Sequence, residues 1–112
     1  QGWAMIGGWA LFTPSLVNDL DPKRIKIASV DALGSELVYV DKGIAPVLLA
    51  QSVYQWGYVG VSTIVDKVIN KKDVPAIIPM DLVRVTKGNL GEWARQLKAW
   101  GFTDVPDEYL KR

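Results

Sequence analysis

Apolar residues fall into short clusters along the chain, separated by polar or glycine-containing breaks. Trp3 to Ile6 is apolar and ends at Gly7-Gly8, which predicts a buried strand and its turn. Trp9 to Leu20 carries Leu11, Phe12, Leu16, Val17 and Leu20 and predicts a short helix interrupted at Thr13-Pro14. Proline fits best in a first turn, so the regular part is expected from Pro14 with Thr13 as cap. Asp21 to Arg24 is a polar turn. Ile25 to Val30 alternates partly, reads as a strand and is ended by Asp31. Ser35 to Val40 begins a short amphipathic helix, with Leu37, Val40 and Ile44 spaced by three and four and Gly43 as its stop.

Pro46 to Ala50 is a compact apolar run ending at Gln51, as in a strand covered on both faces. Ser52 followed by Gln55 predicts a capping box and a helix from about Val53 to Asn70. Gly57 and Gly60 lie one turn apart in it. Each costs roughly 1 kcal/mol relative to alanine, a loss that close packing on a neighbouring sheet would offset. Ala76 to Met80 and Leu82 to Val85 are strand-like and split by Pro79, which argues for an edge strand or a crossing between units. Asn89 as cap with Glu92 starts a last helix, whose apolar face is Leu90, Trp93, Ala94, Leu97 and Trp100 and whose stop is Gly101. Residues 102–112 read as a polar tail. Alternation of strands and helices predicts an α/β sheet with parallel strands.

A chain of 112 residues with 49% hydrophobic and 22% charged residues is globular and fits one small domain. Net charge is +1 with no run of like charges, so neither a nucleic-acid footprint nor a polybasic membrane anchor is expected. No apolar run reaches the roughly 18 residues that span a bilayer. There is no Cys and no His, which removes disulfides, thiolate chemistry, the usual metal ligand and every His-containing triad. Enzyme chemistry would have to rest on Asp, Glu, Lys or Tyr, and no Gly-x-Gly-x-x-Gly or Walker pattern occurs. The expectation is a binding protein, not an enzyme, with no cofactor and no metal.

In parallel α/β sheets ligands bind beyond the carboxyl ends of the strands. Trp9, Asp31 and Gln51 all fall at or just past those ends. A carboxylate accepts hydroxyl hydrogen bonds, an amide both gives and accepts, and an indole covers the C–H face of a ring. Together they match the needs of a polyhydroxylated ligand. Competing roles are core packing for Trp9, a helix cap or turn for Asp31 and a solvated hinge for Gln51. Tyr54, Trp56 and Tyr58 read as core or lobe interface, Trp93 and Trp100 as packing.

At these residues the chain resembles the type I periplasmic sugar-binding proteins, the ribose-binding group in particular. The resemblance rests on Gly7-Gly8-Trp9-Ala10-Leu11-Phe12, Ile27-Ala28-Ser29-Val30-Asp31-Ala32, Asp41-Lys42-Gly43-Ile44, Leu49-Ala50-Gln51, Tyr54-Gln55-Trp56-Gly57-Tyr58 and Met80 to Thr86. It covers residues 3 to about 90. It implies a three-layer Rossmann-like parallel sheet, the C-terminal portion of a two-lobed fold. In that fold 1–51 belong to the C-terminal lobe, 52–80 cross to the other lobe, and 81–112 bring the return strand, a helix and a tail. Asp31 and Gln51 match positions that contact sugar hydroxyls in that family. Trp9 matches a position held by a polar amide or an aromatic. The implied function is capture of a small sugar or polyol for an ABC importer, with a membrane permease as partner and the periplasm as location. The alternative is the effector domain of a LacI-type transcription regulator. The chain opens on Gln1 without a leader, as expected of a piece with its signal peptide upstream. Such a piece is expected to be poorly stable, its apolar faces lacking their cover.

Overall fold

The computed structural model describes residues 1–13 and 15–112; Pro14, the expected first-turn residue, lies outside the described residues. The fold is mixed α/β, built on one four-stranded sheet. Its strands are β1 (Gly2–Ala4), β2 (Lys26–Val30), β3 (Val47–Ala50) and β4 (Val83–Val85), in that order across the sheet. The helices are α1 (Leu37–Asp41), α2 (Val53–Val68), α3 (Leu90–Ala99) and α4 (Asp107–Leu110), with 3₁₀ turns at Gly8–Phe12 and Gly34–Glu36.

The first three strands are parallel, registering Trp3 with Ile27 and Ser29 with Leu48. The all-parallel expectation fails at the last strand. β4 runs antiparallel to β3, pairing Ala50 with Val83 and Leu48 with Val85. β2, β3 and β4 alternate burial as a sheet covered on one face does, so the cover expected on both faces of β3 is absent at Leu49, and β1, expected to be buried, is exposed throughout. Ile27, Ser29, Leu48, Ala50 and Val85 are buried, whereas Lys26, Ala28, Leu49 and Arg84 between them are exposed.

The chain forms two compact units, one of residues 1–51 with 83–112, the other of residues 52–82. In the first, Leu11, Leu37, Tyr39, Val40, Leu48, Leu90, Trp93 and Leu97 are buried around the covered sheet face. Residues 102–112 are not a loose tail. Val105 and Tyr109 enter this core, and Arg112 closes a bidentate pair with Asp41 at 2.6 and 3.1 Å. Bonding from Arg112 holds the Asp41 carboxyl below the ordinary carboxylate range. Trp93 and Trp100 meet edge to face with centroids 5.6 Å apart.

Four local expectations fail, three of them for a visible physical reason. Among the described residues between Phe12 and Asp21 no α-helix forms. Leu16, Asn18 and Leu20 instead donate to carbonyls three residues back, in a stretch where Ser15, Asn18 and Asp19 favour turns over helix. Ser52 makes no side-chain cap bond. Asn89 clamps a turn instead of capping α3: its Oδ1 accepts the Thr86 N–H at 2.7 Å and its Nδ2 donates to the Arg84 carbonyl at 2.9 Å. Ala76 to Met80 is not a strand, because Pro75 and Pro79 remove ladder donors.

The second unit is α2 followed by an extended return. That return folds back so that Pro75, Ile78 and Met80 face Trp56, Gly60 and Ile64 across an open groove. No residue of α2 is buried. Nothing stands within 4 Å of where a β-carbon would sit on Gly57 or Gly60, so the close packing expected there is absent among the described residues. Exposed apolar residues, among them Tyr54, Tyr58, Val61, Ile64, Val65 and Val68, cover most of the circumference of α2, and Gln55, Ser62 and Asp66 form a narrow polar strip between them. No helix among the described residues is long and apolar enough to cross a membrane.

Candidate functional site

The parallel strands β1, β2 and β3 deliver Trp9, Asp31 and Gln51 to the same sheet edge, just beyond their carboxyl ends. The Asp31 N–H donates to the Leu49 carbonyl at 3.0 Å, which extends the β2–β3 ladder by one residue. Gln51 follows Ala50, the last residue of β3. Trp9 belongs to the 3₁₀ turn after β1, and that turn is tied to β2 twice. The Ser29 hydroxyl donates to the Gly7 carbonyl at 3.5 Å, and the Gly8 N–H donates to Asp31 Oδ2 at 2.9 Å.

The three candidates differ in exposure. The Trp9 indole is 69% exposed and folds back over Gly7, where any side chain would collide with its ring. That is inconsistent with core packing. Asp31 and Gln51 are half-buried. Trp9 and Asp31 are joined through Gly8. Gln51 shares their edge, but among the described residues it forms no hydrogen bond with either.

The backbone at Asp31 is unusual. Asp31 and Ala32 both occupy the left-handed region, with φ of 85° and 57°. Aspartate tolerates this better than most residues, but for Ala32 it costs roughly 1 kcal/mol. Such strain persists only where surrounding contacts over-determine it, and it clusters at binding sites. Here the contacts are explicit. Trp93 Nε1 donates to the Ala32 carbonyl at 2.8 Å, and the Leu33 N–H donates to Glu36 Oε2 at 2.6 Å. The Glu36 N–H returns a bond to the Leu33 carbonyl at 2.9 Å. The turn that aims Asp31 is therefore held from both sides.

Glu36 is wholly buried, its Oε1 has no hydrogen-bond partner, and none of the ion pairs among the described residues includes it. Burial, joined by the neighbouring Asp31 charge, pushes its carboxyl up to about 8 against the lowering effect of the Leu33 and Ala32 amides. A carboxyl in such a place is neutral near pH 7.

The position of Gly8 is defined by the same oxygens. A β-carbon on it would lie 2.7 Å from Asp31 Oδ2, 2.8 Å from Glu36 Oε1 and 2.9 Å from the Val30 carbonyl. Gly8→Ala therefore forces the site apart, and we expect a loss of about 1–3 kcal/mol of stability in urea unfolding. A variant within about 0.5 kcal/mol of the parent would show that the turn does not need glycine.

Glu36 and Trp93 are the residues the sequence pattern missed as parts of this site. The available signal for Glu36 was its place four residues before Val40, on the apolar side of the helix. Trp93 reads as packing from its helical stripe, and it packs; its indole N–H is what adds the brace. Comparison with protein-family models, curated proteins and solved structures gives no match.

Proposed function

We propose that the protein binds a small sugar or polyol at the sheet edge carrying Trp9, Asp31 and Gln51, as the solute receptor of an ABC importer. The observation that supports this most is the Asp31 turn: a strained, multiply braced backbone that presents a half-buried carboxylate beside an exposed indole. One carboxylate oxygen is steadied by the Gly8 amide, and an ionised carboxylate has about four acceptor sites in all, so capacity remains for ligand hydroxyls.

In this reading the sheet is the C-terminal-lobe part of a two-lobed, Rossmann-like binding fold, and residues 52–82 belong to the crossing between lobes. Two observations support it. The excursion leaves just after Ala50 and returns at Val83, its register partner. The apolar α2 and the exposed sheet face are surfaces that further layers of such a fold would cover. Closure of two lobes around a solute and docking on a membrane permease complete the proposed cycle, placed in the periplasm.

Calorimetric titration with a panel of pentoses, hexoses and polyols tests the proposal. Saturable heat is expected with at least one of them. Asp31→Ala should weaken that binding at least about tenfold, the worth of one hydrogen bond to a charged acceptor. Silence across the whole panel, or full affinity in Asp31→Ala, would end this reading.

A further inference from the structure

Glu36 has no role in the site so far beyond bracing Leu33, yet its second oxygen is the one buried side-chain polar atom among the described residues without a partner. That oxygen and Asp31 Oδ2 crowd the same side of Gly8, 2.8 and 2.7 Å from its missing β-carbon. Charging both carboxyl groups, one of them sealed from water, is costly without a cation between them. Among the described residues no Lys or Arg forms an ion pair with either of them. The elements against the Gly34–Glu36 turn are the Gly8–Phe12 turn, which carries no charge, and α1, whose Asp41 is engaged by Arg112 and Lys87. The end of β2 adds Asp31, and the C-terminal segment brings Asp104 against Gly34. Asp31 and Asp104 are both acidic, and neither takes part in an ion pair among the described residues.

We propose that Glu36 is a positioning residue whose bound proton keeps Asp31 as the single charge of the site, so that ligand binding is linked to retention of that proton. The inference rests on the sugar-binding reading for its ligand. The neutral carboxyl accepts the Leu33 amide through Oε2 and leaves the Asp31 turn closed on Gly8. Loss of the proton places a second negative charge beside Asp31. The turn, already in the left-handed region, then relaxes away from the Gly8 amide, and the carboxylate that meets the ligand moves with it. The geometry supports this without any added group, since proton release to solvent is the whole reaction.

The test has two arms on the full chain. In the first, amide resonances of Gly8 and Leu33 are followed by NMR from pH 6 to 9.5. Both are expected to titrate together with a midpoint near 8, the value to which burial raises Glu36, and to lose that titration in Glu36→Gln. In the second, ribose, glucose and xylitol are titrated calorimetrically at pH 7 and 9. A site that needs a proton with that midpoint loses about tenfold in affinity over this interval, and Glu36→Gln removes the dependence on pH. Amides that do not titrate, or affinity that stays level while they do, would overturn the proposal. No heat across the whole panel of pentoses, hexoses and polyols at either pH, with the amide titration intact, would sink the sugar reading and leave the proton assignment standing.

Discussion

Glu36→Gln is expected to make the protein more stable at pH 7, by up to about 3 kcal/mol, and to flatten its stability profile between the unfolded value of 4.5 and the folded value of about 8. In the unfolded chain the carboxyl ionises near its ordinary value of 4.5, and in the folded chain near 8. Below the lower value it is protonated in both states and imposes no penalty. Between the two values folding must take up a proton, so stability falls by about 1.4 kcal/mol for each pH unit of rise. Above the upper value both states are ionised and the slope vanishes. The contribution is therefore intact in acid and is lost as pH climbs through the folded value, the reverse of a salt-bridged carboxylate. Glutamine keeps the shape, accepts the Leu33 amide through its oxygen and needs no proton. Urea unfolding of both proteins from pH 5 to 9 is the measurement. Parallel curves, or a glutamine variant weaker throughout, would mean that Glu36 folds in its charged form.

This effect lies outside what the residue pattern could disclose. Sequence places Asp31 at the end of a strand, and that is where it is. It cannot show that Asp31 and Ala32 both turn left-handed, because the cause is tertiary: Gly8, Glu36 and Trp93 arrive from three other segments. The parallel trio β1 to β3 was legible because β1 and β3 lie in apolar runs and β2 in a partly alternating one, each bounded by polar or glycine residues. The reversal of β4 was not, since Val83-Arg84-Val85 alternates alike in either direction. Asn89 illustrates a different limit. Its side chain suits a cap or a turn clamp equally, and the nearby Thr86 amide and Arg84 carbonyl decide for the clamp. The glycines of α2 show a third. A small-residue stripe predicts a close neighbour, but the neighbour has to come from elsewhere, and open space stands at both positions.

The C-terminal segment carries the largest correction and the largest expected single-residue effect. Residues 102–112 look polar in sequence because Asp104, Asp107, Glu108, Lys111 and Arg112 outnumber the apolar positions. Val105, Tyr109 and Leu110 are nonetheless spaced so that one side of the segment can reach α3, and Tyr109 ends 1% exposed. Around it the chain end is fastened three ways. Arg112 stacks over the Tyr109 ring at 5.2 Å, pairs with Asp41, and offers its carbonyl to the Arg95 guanidinium. Tyr109→Ala removes a buried aromatic ring, opens a cavity in the core where α4 packs on α3, and takes away the surface on which Arg112 rests. A loss of about 3–5 kcal/mol is expected, enough to unfold a marginal domain. Tyr109→Phe keeps the ring and deletes one hydroxyl, for a loss of no more than about 1.5 kcal/mol. Denaturant unfolding of both variants separates packing from hydrogen bonding. If Tyr109→Ala unfolds within about 1 kcal/mol of the parent protein, the segment is only laid against the core, and the sheet unit holds together without it.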